Sequence, residues 1–185
     1  SIMEKMALQD DIILVTRLEA DKADAVNKVF PDAEYHPDAR MLILSRKEVP
    51  ITGNGAILVI SAGTSDIPVA KEAFLTAQAM GNIVDTVFDV GVAGIHRLFS
   101  YKEKIDAADI FIVVAGMEGA LSDTADYPED EWDRVIDVNL KGVWLCMKHE
   151  IQHMKKHQKG VIVNAASIAG LKGAARLCAY AASKH

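Results

Sequence analysis

The sequence predicts an α/β fold in which a parallel sheet is covered by helices on both faces and preceded by a small α/β unit. Three observations lead there. Short, largely apolar runs recur at residues 56–60, 83–90, 109–114 and 161–163, as expected of strands buried on both faces. Segments long enough for helices of ten or more residues separate them, which is the rhythm of parallel crossovers. The runs also end in loops rich in Gly, Ala, Ser and Thr, on the sheet edge where ligands of such folds bind.

Taken in order, residues 12–15 (Ile-Ile-Leu-Val) read as a first strand, 21–30 as a helix and 41–44 as a second strand. Turn chemistry at Pro31, His36-Pro37 and Asp38 lies between them. Pro50, Gly53, Asn54 and Gly55 then punctuate the chain, setting a boundary near residue 52. A strand over 56–60 leads through a small-residue loop into a helix over 68–80. Pro68 suits its first turn, where a missing N–H costs nothing, and Gly81 stops it. A strand over 83–90, a helix over 95–107 and a strand over 109–114 come next. Residues 128–158 read as one long helical stretch, opened by Pro128-Glu129-Asp130-Glu131 and closed by Lys and His, as the helix dipole favours. Residues 161–163 form the next strand, and a last helix begins within 174–179. The expected division is a small N-terminal unit over 1–52, a βαβαβ part over 53–121 and an α/β continuation over 122–185.

Composition narrows the class. The 185 residues have a mass of 20.1 kDa, half of them apolar and 25% charged, a balance that suits a packed core. Twenty Lys+Arg against 26 Asp+Glu give a net charge of −6, which disfavours nucleic-acid and anionic-membrane partners. No apolar run approaches a membrane span, and the N-terminal residues lack a signal-peptide layout. Cys146 and Cys178 are the only cysteines, so neither a disulfide framework nor a cysteine-rich metal site is expected. The expectation is a cytoplasmic protein.

The candidate chemistry sits in the loops. Ser61-Ala62-Gly63-Thr64-Ser65-Asp66 links a strand to a helix. Its small residues let an anion approach the free N–H groups of the helix start; alternatively, Asp66 simply caps that helix. A second loop, Asp89 to Arg97, holds Gly91 and Gly94, with His96 as a proton carrier and Arg97 as an anion clamp. A third, Ala115 to Ala120, adds Gly116 and Gly119.

Together these three loops, with Ile13-Leu14-Val15-Thr16-Arg17 and Asp38-Ala39-Arg40-Met41-Leu42, resemble the nickel-pincer nucleotide carboxylase family (LarB). Its core is related to aminoimidazole ribonucleotide (AIR) carboxylase (PurE). The resemblance covers residues 11–121 and implies a flavodoxin-like core and a nucleotide substrate such as nicotinic acid adenine dinucleotide, carboxylated by CO₂ or bicarbonate. It implies that Thr64, Ser65 and Asp66, beside Gly63, hold phosphate or ribose, and that His96 handles a proton with Arg97 beside it. It implies symmetric oligomers as well. Past Leu121 the pattern stops, and the family's downstream cysteine has no counterpart in Cys146 or Cys178.

The remainder resembles a different family. Trp132 to Gly142, Gly160 to Gly170 and Tyr180-Ala181-Ala182-Ser183-Lys184 look like blocks of a short-chain dehydrogenase/reductase with a Rossmann-like sheet. Tyr180 and Lys184 share a helix face at i, i+4, and a nearby ammonium makes a phenol a usable acid/base for a carbonyl–alcohol pair. The resemblance implies that Ser167 holds the substrate oxygen, that Asn139 serves in proton relay and that NAD(P) is the cofactor. The family's glycine-rich cofactor loop is missing, and Val113-Val114-Ala115-Gly116 stands where its Asn-Asn-Ala-Gly is expected.

His149-Glu150-Ile151-Gln152-His153 matches a zinc-binding His-Glu-x-x-His pattern. No Asp or Glu follows Glu150 and no third-ligand pattern appears, so no metal site is assigned. The simplest account is a hybrid chain, carboxylase-like in front and dehydrogenase-like behind, joined within residues 120–128. Three readings stay open: nucleotide binding with carboxylase-family chemistry, hydride-transfer chemistry at Tyr180 and Lys184, and a folding scaffold without turnover. Its partners are expected to be a small-molecule nucleotide and further copies of itself.

Overall fold

The β4 strand (Ala56–Ser61) shows why this sequence makes a parallel sheet. Its alternate side chains are buried on opposite faces: Ile57 and Val59 pack against Ala70 and Ala77, while Leu58 joins Val87, Val90 and Ala108. A strand needing cover on both sides takes a helix on each. The computed structural model describes residues 2–8, 11–91, 95–158, 160–164 and 167–185, with Ile95, His153 and His157 described by backbone alone. Two compact units divide the chain, Ser1–Val114 and Ala115–His185.

The first unit contains two sheets. Helix α1 (Ile2–Met6), strand β1 (Ile12–Val15), helix α2 (Ala20–Asn27), strand β2 (Glu34–His36) and strand β3 (Met41–Ser45) form its N-terminal part. The strands pair antiparallel in the order β1-β3-β2, with Leu14 opposite Ile43 and Tyr35 opposite Leu42. Ile13, Ala23, Leu42 and Leu44 make its core. Lys71, on the helix after β4, pairs with Asp38 and fastens this layer to the rest of the unit.

After β4 come helix α3 (Ile67–Ala79), strand β5 (Ile83–Val87), helices α4 (Ile95–Ser100) and α5 (Lys102–Ala107) and strand β6 (Ile110–Val114). The strands lie parallel in the order β5-β4-β6. The α/β class with a flavodoxin-like or Rossmann-like parallel sheet is therefore what the chain builds. Because the chain leaves β4 first to one side and then to the other, a topological switch point lies between β4 and β6.

Two elements differ from the sequence expectation here, and the expected linker is fixed by backbone bonds. Strand β5 stops at Val87 because Asp89 takes a left-handed conformation (φ 59°) and turns the chain onto the end of β4. The helix expected over 95–107 breaks at Tyr101, where the Ser100 hydroxyl bonds back to the Arg97 carbonyl at 2.6 Å. The linker around residue 52 is pinned, since the N–H groups of Thr52 and Gly53 both donate to the Gly81 carbonyl.

In the second unit, helix α6 (Glu129–Ile136) passes through a π-helical turn (Asp137–Gly142) into helix α7 (Val143–His157). Helix α8 (Cys178–Lys184) follows a short 3₁₀ turn (Ile168–Gly170). The single helix expected over 128–158 is thus widened in its middle. The strand expected over 161–163 is not formed: Val161 and Val163 are 83% and 88% exposed and pair with no strand among the described residues. Helix α8 starts at Cys178 because Arg176 adopts φ 65° and donates from Nη2 to the Leu121 carbonyl at 2.8 Å.

Candidate functional site

In the first unit, the carboxyl end of β4 organises the front loops. Ser61 is fully buried, and its hydroxyl accepts the Asp89 N–H at 3.0 Å. The N–H groups of Val90 and Gly91 donate to the carbonyls of Ser61 and Ala62. Gly91 is a packing glycine: a Cβ there would sit 2.5 Å from the Ala62 carbonyl oxygen. Asp66 turns back on its own loop, Oδ2 accepting the Gly63 N–H at 2.9 Å while its N–H donates to the Gly63 carbonyl. Thr64 and Ser65 are exposed on the rim. Arg97 on α4 reaches the Asp89 carboxylate at 2.6 Å, and His96 beside it is exposed. The expected loop of Gly63, Thr64, Ser65 and Asp66 is therefore closed on itself by Asp66, while Asp89 joins the end of β4 at Ser61 to Arg97. Gly94 lies outside the described residues.

The second unit gathers its expected residues around Asn139. This side chain, 3% exposed, sits in the π turn. An extra residue in a helical turn swings a side chain off the regular stripe, and here Asn139 is turned onto the 115–121 loop. Its Oδ1 accepts the Met117 N–H at 2.9 Å, and its Nδ2 donates to the Met117 carbonyl at 2.8 Å. The same Nδ2 donates to the buried Ser183 hydroxyl at 2.9 Å, which in turn donates to the Tyr180 carbonyl at 2.8 Å. Asn139 thus joins the glycine-bearing loop to α8.

That loop contains both expected glycines. Gly119 has φ 76°, and a Cβ there would collide with the Tyr127 hydroxyl and the Val135 side chain. Gly116 faces open space, with nothing within 4 Å of an added Cβ. On α8, Lys184 Nζ lies 5.8 Å from the centroid of the half-buried Tyr180 ring. Ser167 caps the 3₁₀ turn, its Oγ accepting the Ala169 N–H at 3.2 Å. Gly170 of that turn abuts the Lys184 carbonyl so closely that no Cβ would fit, and Gly170 O lies 2.7 Å from His185 Nδ1. The turn bearing Ser167 is therefore packed on the end of the helix bearing Tyr180 and Lys184.

Burial, then the charge of Glu150, pushes the Cys146 thiol up from its ordinary value, so its nucleophilic thiolate is disfavoured. No group of three or more His, Cys, Asp or Glu able to hold a metal occurs among the described residues. The sequence reasoning missed Ser61, Asp89 as the partner of Arg97, and the hydroxyl of Ser183. Asp89 had a signal, an acid just past a parallel strand, whereas the bond of the Ser183 hydroxyl to a residue 44 positions away had none.

Two family patterns match the chain. The short chain dehydrogenase pattern covers residues 54–185, and a LarB/PurE-like N-terminal domain pattern covers residues 1–47. An uncharacterized protein of Methanocaldococcus jannaschii is 40% identical over 124 residues, 63% of this chain and 48% of that protein. Levodione reductase of Leifsonia aquatica is 29% identical over 140 residues, 74% of this chain and 52% of that protein. The solved structure of 4-hydroxyisoleucine dehydrogenase complexed with NADH superposes at a TM-score of 0.53 with 27% identity, covering 71% of this chain and 64% of that one. The chain spans about half the length of these curated relatives. It belongs to the short-chain dehydrogenase family and begins with a segment similar to the LarB/PurE-like N-terminal domain.

Proposed function

We propose that this chain is an oxidoreductase acting on a carbonyl–alcohol pair. In this reading Tyr180 donates and accepts the proton at the substrate oxygen, Lys184 stands one turn along the same helix face, and the Ser167 hydroxyl is a second partner for that oxygen. The observation that carries it is the back-unit geometry. Tyr180 and Lys184 leave α8 one turn apart, and the Ser167 turn is packed on the end of the same helix. Levodione reductase and the NADH-bound 4-hydroxyisoleucine dehydrogenase support the reaction class and a nicotinamide dinucleotide as hydride carrier.

The front loop does not fit such a dinucleotide well. A pyrophosphate needs free N–H groups and close backbone approach, whereas the Gly63 N–H already serves the Asp66 carboxylate. An anion seated there would face that charge, so no hydride step is derived from these residues. The expected consequence is weak binding. Calorimetric titration with NADH should give weak association in the wild type that tightens about tenfold in Asp66→Ser, a change near 1.4 kcal/mol.

A second reading, nucleotide binding with carboxylase-family chemistry, is favoured by the LarB/PurE-like N-terminal match. It assigns Thr64, Ser65 and Asp66 to ribose or phosphate, and His96 and Arg97 to proton and anion handling. Nicotinic acid adenine dinucleotide is its probe. Tighter binding of that ligand than of NADH, lost in Asp66→Ser, would favour this second reading over the first.

A further inference from the structure

We infer that Ser183 is a positioning residue for the Tyr180–Lys184 pair, an inference that rests on the oxidoreductase reading of that pair. Helix α8 has seven residues, Cys178–Lys184. A helix this short is marginal by itself and depends on tertiary contacts for its orientation. At 3.6 residues per turn, Ser183 lies about 60° to one side of Tyr180, and Lys184 about 40° to the other. A fixed point at Ser183 therefore sets the rotation of the helix about its own axis, and with it the directions in which Tyr180 and Lys184 project.

The contacts make Ser183 such a point. Its side chain is buried at 6% exposure, while Tyr180 and Lys184 are only half-buried. Its hydroxyl accepts from Asn139 Nδ2 at 2.9 Å and donates to the Tyr180 carbonyl at 2.8 Å, so donor and acceptor capacity are both used. Asn139 is itself held by two bonds to the Met117 backbone. The chain Met117–Asn139–Ser183–Tyr180 thus runs from the glycine-bearing loop into the acid/base helix without an unpaired donor. Ala179, the other fully buried residue of α8, offers packing but no directional bond.

The test is fluorine NMR of fluorotyrosine-labelled protein. The Tyr180 resonance is assigned by its loss in Tyr180→Phe. In Ser183→Ala that resonance should move and broaden while those of Tyr35 and Tyr101 in the first unit stay in place. Ser183→Thr, which keeps the hydroxyl, should return it towards the wild-type position. If Ser183→Ala does not fold, Ser183→Cys replaces it, because the thiol keeps the volume but is a much weaker hydrogen-bonding group. A folded Ser183→Ala or Ser183→Cys whose Tyr180 resonance is unmoved would overturn the inference. So would a Ser183→Thr spectrum no closer to wild type than that of Ser183→Ala. The underlying reading fails separately, if Tyr180→Phe reduces carbonyl substrate as fast as wild type.

Discussion

Asn139 concentrates the consequences at the scale of single residues. Its one side chain satisfies both backbone groups of Met117 and one valence of Ser183. Truncation leaves these partners facing a cavity, and each buried group left unpaired costs roughly 1–3 kcal/mol. Asn139→Ala should therefore lower stability by about 2 kcal/mol or more, read as a fall in the urea midpoint at unchanged slope. Tyr127 makes the opposite case. Its hydroxyl is buried beside Gly119 and has no hydrogen-bond partner among the described residues. Tyr127→Phe removes an unpaired polar atom and should leave stability unchanged or raise it by about 1 kcal/mol at most, read as a melting temperature that does not fall. A clear drop would show that the phenol has a partner after all. Tyr180 and Lys184 could be singled out because their i, i+4 spacing makes them helix neighbours and because they close three ordered blocks of the dehydrogenase resemblance. The Ser183 bond could not, because it depends on a residue 44 positions away.

Among the elements, agreement and disagreement with sequence have a common cause. Strand β4 was legible because burial on both faces demands an unbroken apolar run, and β6 because its run Ile110–Val114 is apolar throughout, although Ile110 and Val113 stay exposed. The π turn was not, because nothing in Asp-Val-Asn-Leu-Lys-Gly distinguishes it from ordinary helix; the Met117 backbone is what holds Asn139 inward. Residues 161–163 carry strand propensity, but propensity without a ladder partner makes no strand. The end of β5 likewise follows from the Ser61 hydroxyl taking the Asp89 N–H. Helix α7 carries the pH dependence. Burial holds the Glu150 carboxyl above its ordinary value. A raised carboxyl pKa means that the folded state binds the proton more tightly. Its stabilising contribution is full below the ordinary carboxylate range and is lost as pH rises through the raised value. Glu150→Gln should therefore be more stable than wild type at neutral pH, with the difference vanishing in acid. Thermal unfolding of both proteins across that range measures it, and a gap that widens in acid would contradict the assignment.

At the scale of the whole molecule, the two compact units carry different chemistry. The first, Ser1–Val114, joins the LarB/PurE-like N-terminal segment to the parallel sheet, and its principal loop is closed on itself by Asp66. The second, Ala115–His185, holds Asn139, Ser167, Tyr180 and Lys184, with Ser183 linking Asn139 to the Tyr180 backbone. The dehydrogenase resemblance was legible in the blocks from Trp132 to Lys184, but its pattern reaches back to residue 54, and the LarB/PurE-like match is confined to residues 1–47 rather than 11–121. The misfit of the front loop required coordinates, because a sequence with Asp66 is compatible with a capped helix or with an open cradle. The most direct measurement is the rate of NADH oxidation with a small cyclic ketone as carbonyl probe, at NADH concentrations high enough to offset weak binding, for wild type and Tyr180→Phe. Loss of a positioned general acid typically costs about two orders of magnitude or more. Under the oxidoreductase reading, the wild type should show measurable turnover and the variant a fall of about 100-fold or more. Equal rates in the two proteins, or no turnover in a folded wild type, would contradict it.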